Sequence, residues 1–126
     1  MQPTFDTQKP LFQSIAEWLE DTIISGIYKE GEQVPSITEI SVLYNLNPAT
    51  ALKGVNLLVD SGLLYKKRGM GMFVSEGART KLLERRQEQF YTDFVLPLKL
   101  EARRLQINKK ELNKMIERED LNDNSN

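Results

Sequence analysis

The clearest pattern of apolar and polar positions in the chain lies between Asn47 and Gly62. Small and apolar residues recur there at the i, i+3, i+4, i+7 spacing of one helical face: Ala51, Gly54, Val55 and Leu58. Asn47 is a favourable N-cap, Pro48 suits the first helical position, and Gly62 suits the left-handed turn after a helix. The second face of this predicted helix mixes a charge, an amide and apolar groups: Ala49, Leu52, Lys53 and Asn56.

An earlier helix is predicted from Pro10 to just before Gly26. Its apolar stripe has helical spacing and comprises Leu11, Ile15, Trp18, Leu19 and Ile23. Since a tryptophan in such a stripe is usually buried, we expect Trp18 in the core.

A short second helix begins with a capping box, in which Ser36 and Glu39 can each satisfy a backbone amide of the other. It should run to about Asn45, with four residues facing inward: Ile37, Ile40, Ser41 and Tyr44. Because only Asn45 and Leu46 separate it from the Asn47 cap, the two helices are predicted to form a helix-turn-helix, with the later one as recognition helix.

Two β-prone runs follow, Leu63–Lys67 and Met72–Val74, and the glycine-containing segment Arg68–Gly71 joins them. This arrangement predicts a β-hairpin, or wing. Arg68 at its tip is suited to a phosphate or a narrow minor groove. The predicted fold is therefore mainly α with a small β-wing, a winged helix-turn-helix domain over residues 1–75.

The C-terminal part of the chain is predicted to contain two helices. The first carries a narrow apolar stripe: Leu83, Phe90, Phe94, Leu98, Ala102 and Leu105. Pro97 should kink or break this helix near Phe94. The second should begin at a capping box of Asn108 and Glu111 and end near Asp120. Its apolar side comprises Leu112, Met115 and Ile116.

Two short helices cannot bury Phe90 and Phe94 by themselves, so the stripe must pack on another surface. A second copy of the chain is one partner, and the chain's own winged domain is the other. We expect residues 76–126 to be a helical dimerisation region with a frayed C-terminal tail, whose interface comprises Leu83, Phe90, Phe94, Leu98, Leu105, Leu112, Met115 and Ile116.

Composition excludes several functional classes. The 126 residues include no cysteine and no histidine, which removes thiolate and imidazole metal ligands and the commonest general base. We therefore predict that the protein is not an enzyme and has no catalytic residue, metal or cofactor. The sequence has no signal pattern and no apolar run of membrane-spanning length, so we expect a cytoplasmic protein without membrane contact.

The net charge of −1 conceals a local basic region. Acidic residues dominate up to Val34, whereas four cations lie on the predicted recognition helix and wing: Lys53, Lys66, Lys67 and Arg68. This basic patch is compatible with phosphate binding, although the lysines could also be ordinary solvated charges.

The segment from Pro10 to Val74 resembles the N-terminal domain of the GntR family of bacterial transcription regulators. The matching residues are Pro10–Phe12 with Ile15, Gly31 before Val34–Ser36, Glu39–Ile40, Thr50, Asp60–Leu64 and Arg68–Val74. Asn47, Pro48 and Thr50 resemble the YtrA-like subfamily, whose members pair this domain with a short two-helix tail for dimerisation. The resemblance implies a DNA-binding regulator that acts as a homodimer.

The sequence departs from the family where members often carry arginine. Thr38, Pro48 and Leu52 occupy those positions here. Since arginine supplies both charge and bidentate recognition of guanine, we expect weaker binding per subunit, or more reliance on dimerisation and DNA shape.

The candidate DNA contacts divide into two groups. Candidates for phosphate are Ser36, Thr38, Lys53, Lys66, Lys67, Arg68 and the backbone at Gly69, Met70 and Gly71. Candidates for bases are Asn47, Ala49, Thr50, Leu52, Lys53 and Asn56. Asn47 is expected to act mainly as a helix cap, and Leu52 could instead pack at the edge of the domain.

These features predict a sequence-specific DNA-binding transcription regulator, a repressor that binds a palindromic operator as a homodimer. The alternative is a winged-helix module for protein–protein interaction, with little DNA specificity of its own. Neither the operator nor any small-molecule effector can be read from the sequence.

Overall fold

A computed structural model describes residues 8–120 of the chain. The first seven residues and the predicted frayed tail from Leu121 lie outside this range. The helices are α1 Leu11–Ile24, α2 Ile37–Leu43, α3 Pro48–Asp60, α4 Ala78–Phe90, α5 Leu96–Arg104 and α6 Lys109–Glu117, and the strands are β1 Leu64–Lys67 and β2 Gly71–Val74. The predicted fold class, mainly helical with a small antiparallel wing, is confirmed. The chain forms two compact units, one ending at Arg85 and the other beginning at Arg86.

Side-chain caps set the starts of α2 and α3. The backbone N–H of Glu39 donates to Ser36 Oγ at 3.0 Å, and the N–H of Ser36 donates to Glu39 Oε1 at 3.0 Å, so the predicted capping box is present. Asn47 Oδ1 accepts from the N–H of Ala49 at 2.8 Å, as expected for an N-cap. The helix α2 ends at Leu43, slightly before the predicted Asn45, which lies in the following turn with a positive φ of 52°.

The core of the first unit lies between α1, α3 and the wing. It contains the predicted buried face of α3 and most of the α1 stripe, including Trp18. A Cβ placed on Gly54 would lie 2.7 Å from the carbonyl oxygen of Phe12 and 2.9 Å from Cβ of Ile15. The α1 and α3 backbones therefore approach each other closely at Gly54. Leu11, expected in the stripe, is exposed because it opens the first turn of α1.

The wing is a two-stranded antiparallel sheet with Tyr65 opposite Phe73. The segment 31–34 adds backbone hydrogen bonds along the outer edge of β2. The N–H of Val34 donates to the Met72 carbonyl at 3.0 Å, and the N–H of Gly31 donates to the Val74 carbonyl at 2.8 Å. These bonds attach the wing to the segment that leads into the helix-turn-helix.

The first turns of α4 belong to the first unit. Ala78 and Leu82, four residues apart on one face, are buried in its core. Arg79 Nε donates to the Ile24 carbonyl at 2.9 Å, and Lys81 Nζ donates to the Ser61 carbonyl at 2.7 Å. Packing within the same chain, one of the two alternatives, therefore holds for the start of α4. The division of roles between residues 1–75 and 76–126 stays a prediction.

In the second unit, α4 continues into α5 without a break, but the winding of the helix changes between them. Residues Tyr91–Val95 form a π-helical turn, and Pro97 follows within the first turn of α5. Proline has no N–H to donate back to residue 93, so a widened turn at this point has a clear cause. The predicted irregularity near Phe94 is confirmed as a change of winding.

The helix α6 begins at the predicted second capping box. The N–H of Glu111 donates to Asn108 Oδ1 at 2.8 Å, and the N–H of Asn108 donates to Glu111 Oε1 at 3.1 Å. It ends at Glu117 and not near Asp120, because Arg118 takes an extended backbone and the residues after it bury no apolar side chain. Across residues 8–120, no helix is both long and apolar enough to cross a membrane.

Candidate nucleic-acid interface

The outward face of α3 is open to solvent along its length. Ala49, Leu52 and Lys53 are exposed and Asn56 is half-buried, while the opposite face is packed into the core. Leu52 exposes 44% of its surface. An apolar side chain this exposed is free to contact an external surface such as a thymine methyl group.

The start of the helix-turn-helix offers hydroxyl and amide groups. Asn47 uses its side-chain oxygen to cap α3, so its amide nitrogen is the group left for other contacts. Thr38 is exposed at the start of α2, and Thr50 is half-buried in the first turn of α3. The pKa of the Glu39 carboxyl is held below its usual value by hydrogen bonds to Ser36, chiefly to its backbone N–H and to a smaller extent to its hydroxyl. Its negative charge is thus engaged in the cap.

The tip of the wing is shaped by two glycines. Gly69 has a φ of +76° and Gly71 a φ of +116°, and the N–H of Met70 closes the turn by donating to the Lys67 carbonyl at 2.9 Å. Gln33 Nε2 donates to the Met70 carbonyl at 2.6 Å, and a Cβ on Gly71 would lie 2.6 Å from that same nitrogen. Gln33 therefore supports the tip, a role that local sequence patterns did not indicate because the partners are far apart in the chain.

Two of the four cations lie on aromatic rings. Lys53 Nζ lies 4.0 Å from the ring centroid of Phe12, and Lys67 Nζ lies 4.6 Å from that of Phe73. Ring contacts of this kind hold an ammonium group without cancelling its charge. Within residues 8–120, none of the predicted cations on α3 and the wing forms an ion pair with a carboxylate.

The predicted dimer-interface residues are mostly exposed. Phe90 exposes 56% and Phe94 64% of its surface, and their ring centroids lie 5.4 Å apart. The remaining exposed members are Leu98, Leu105, Met115 and Ile116, whereas Leu83 and Leu112 are half-buried. Leu82, which the predicted stripe omitted, is fully buried near the start of α4. Its spacing of four residues from Ala78 was the sequence pattern that could have indicated this burial.

Residues 11–74 match the model of the bacterial regulatory proteins of the gntR family. The chain belongs to the GntR family. It is 32% identical over 75 residues to the HTH-type transcriptional repressor YtrA of Bacillus subtilis, a match that covers 60% of this chain and 58% of YtrA. The matching part of this chain thus spans little more than half of that repressor's length.

One of two similar solved structures resembles this chain beyond the winged domain. A GntR-family regulator from Bacteroides thetaiotaomicron superposes with a TM-score of 0.72 at 32% identity, covering 84% of this chain and 92% of the other. The AraR DNA-binding domain in complex with operator ORE1 superposes with a TM-score of 0.52 at 25% identity, covering 60% of this chain and 94% of that domain. At 84% coverage the first likeness extends beyond the winged domain, whereas the second covers a smaller share of the chain.

Proposed function

We propose that this protein is a transcriptional repressor that binds a palindromic DNA operator as a homodimer. The helix α3 enters the major groove, and the wing meets the adjacent backbone or minor groove. One observation carries this proposal: an exposed α3 face opposite a fully packed one, with cations on α3 and the wing that no described carboxylate neutralises. Such a surface has the shape and charge that duplex DNA requires.

The proposed contacts separate positioning from specificity. Lys66, Lys67, Arg68 and the amides of the wing tip bind phosphates, together with the hydroxyls of Ser36 and Thr38. Ala49, Leu52 and Asn56 face the base edges, with Asn47 and Thr50 at the start of the helix. Since this face holds few charged groups, apolar contacts to thymine methyls and DNA shape contribute more than arginine–guanine pairs.

The relatives support operator binding and repression. YtrA is named as a transcriptional repressor, and the AraR DNA-binding domain was solved bound to an operator. We carry both properties to this chain as part of the proposal. A target on chromosomal DNA also places the protein in the cytoplasm.

Homodimer formation is supported by the apolar surface of the second unit. Phe90, Phe94 and Ile116 each expose more than half of their surface. Exposed aromatic and aliphatic side chains of this number are unfavourable in water unless another surface covers them. A second copy of the chain supplies that surface without the need for a different protein. It also pairs two recognition helices for a two-fold symmetric site.

Selection of bound sequences from a random duplex pool tests this proposal. A repressor of this type should enrich a two-fold symmetric consensus with half-sites about one helical turn apart. Binding to that consensus should decline steeply as salt concentration rises, because bound lysines and arginines release counterions. A pool without enrichment, together with salt-insensitive binding, would favour the alternative of a protein-interaction module.

A further inference from the structure

Lys53 lies against the ring of Phe12, a residue that the DNA-contact predictions did not include. Its ammonium nitrogen is 4.0 Å from the ring centroid, well inside the roughly 6 Å limit of a cation–π contact. Phe12 belongs to the first turn of α1, and Lys53 lies in the middle of α3. The contact therefore joins the recognition helix to the start of a different helix.

Gly54 explains why the ring is so close to Lys53. The carbonyl oxygen of Phe12 lies 2.7 Å from the position that a Cβ on Gly54 would occupy. The two backbones therefore meet at Phe12 and Gly54, and Lys53 is the residue beside that contact. The packing of α1 on α3 therefore makes Phe12 and Lys53 neighbours, within reach of a contact between ring and ammonium.

The ring holds the ammonium but leaves its charge available. Lys9, on the same unit, lies 2.9 Å from a carboxylate oxygen of Glu17 and is largely neutralised. Lys53 has no such partner within residues 8–120. An aromatic face restricts the motion of a lysine without supplying a competing anion, so a DNA phosphate would meet a pre-positioned and uncompensated cation. Lys67 over Phe73 repeats this arrangement on the wing.

The position of the ring also selects the kind of DNA group that Lys53 meets. By helical spacing Lys53 shares the outward face of α3 with Ala49 and Asn56. Because Phe12 belongs to α1, the contact with its ring places the ammonium on the side of α3 that adjoins α1. A cation displaced to the side of a recognition helix faces the sugar–phosphate wall of the groove, whereas the base edges lie on its floor.

We infer that Phe12 is a positioning residue for DNA binding, which holds Lys53 for contact with a backbone phosphate and not with a base edge. The inference rests on the proposed function and assigns one of the two roles considered for Lys53. It makes the start of α1 part of the DNA-binding surface.

The test measures the affinity of the full-length protein for two duplexes, the selected consensus and a scrambled sequence of equal length. Phe12→Leu should weaken binding to both by the same factor, roughly two- to fivefold, the range expected for an exposed cation–π contact. Phe12→Tyr keeps an aromatic face and should bind like the unmodified protein. Lys53→Met should lower the slope of log affinity against log salt by about 1 and leave the base preference unchanged.

A double-mutant cycle separates positioning from general packing. In the Lys53→Met background, Phe12→Leu should have no further effect on affinity, because the ring then holds no cation. Tyr28→Leu is the matched control: it removes another half-buried aromatic ring of the same unit, and no described cation lies over Tyr28. Thermal unfolding checks each variant, and Phe12→Met replaces Phe12→Leu if the latter is unfolded.

Any of four results would overturn the inference: unchanged affinity of Phe12→Leu, additive effects of the two substitutions, equal weakening by Phe12→Tyr and Phe12→Leu, or a changed base preference in Lys53→Met. Failure of the proposed function has a different signature. The unmodified protein would then show no salt-dependent binding to either duplex, whereas a protein that binds DNA equally well with leucine at position 12 would contradict the positioning role alone.

Discussion

The two units of the chain differ in how far their apolar side chains are buried. In the first unit, large residues of α1, α3 and the wing are completely buried, and Gly54 allows the two long helices to touch. Beyond Arg86, Ala102 is the one hydrophobic residue that is buried among those the structure describes, while large apolar side chains remain exposed. The first unit therefore has a well-packed hydrophobic core. In the second, α6 begins at a capping box and large apolar side chains lie exposed.

The largest effect is expected from filling the contact between α1 and α3. Gly54→Val places a branched side chain against the Phe12 carbonyl and Ile15, and should destabilise the first unit by on the order of 3 kcal/mol. Ala49→Val, on the exposed side of the same helix, should change stability by less than about 0.5 kcal/mol. Urea unfolding measures both, and equal midpoints would contradict the close packing described for Gly54.

The next effect concerns the second unit. Phe90→Asp combined with Phe94→Asp should abolish the dimer and binding to a palindromic site, because charges would lie on the apolar surface proposed for self-association. The first unit should keep its unfolding transition. Gln89→Asp with Thr92→Asp is the matched control, since it adds the same charges at neighbouring exposed positions. A dimer that persists in sedimentation of the phenylalanine variant would refute the proposed interface.

A smaller effect is expected at the tip of the wing. Arg68→Ala should weaken binding to consensus and scrambled duplexes alike and reduce the salt slope by about 1, as for the loss of one phosphate contact. Lys29→Ala removes an exposed cation elsewhere on the first unit and should leave the slope unchanged. If Arg68→Ala alters base preference instead, the wing reads sequence and is not only a phosphate contact.

The smallest effect is a pH dependence of the α2 cap. The pKa of Glu39 is lowered by its bonds to Ser36, so its contribution is present at neutral pH and is lost as the pH falls through the folded-state pKa, below the ordinary value of 4.5. Glu39→Gln should remove this part of the acid dependence. Glu32→Gln serves as control, and identical acid-unfolding curves for unmodified protein and Glu39→Gln would contradict the role of the ionised carboxylate.

Much of the fold could be predicted because its signals are local. The caps at Ser36, Asn47 and Asn108 depend on residues no more than three positions away, and each is present as predicted. The ends of α2 and α6 were less accurate, since fraying and positive-φ turns have weak sequence signals. The candidate DNA-binding residues on α3 and the wing are exposed or half-buried, and their contacts remain predictions.

The sequence by itself determined where α2, α3 and α6 begin, which side of α3 is apolar, and where the helix preceding Pro97 loses its regular winding. These properties arise from backbone geometry and from periodicity along a single helix. Only the tertiary structure placed Phe12 under Lys53, Gln33 against Met70 and Leu82 in the core. The physical reason is that each of these contacts joins segments separated by a turn, a strand or another helix, so that it exists only once α1, α3 and the wing have packed.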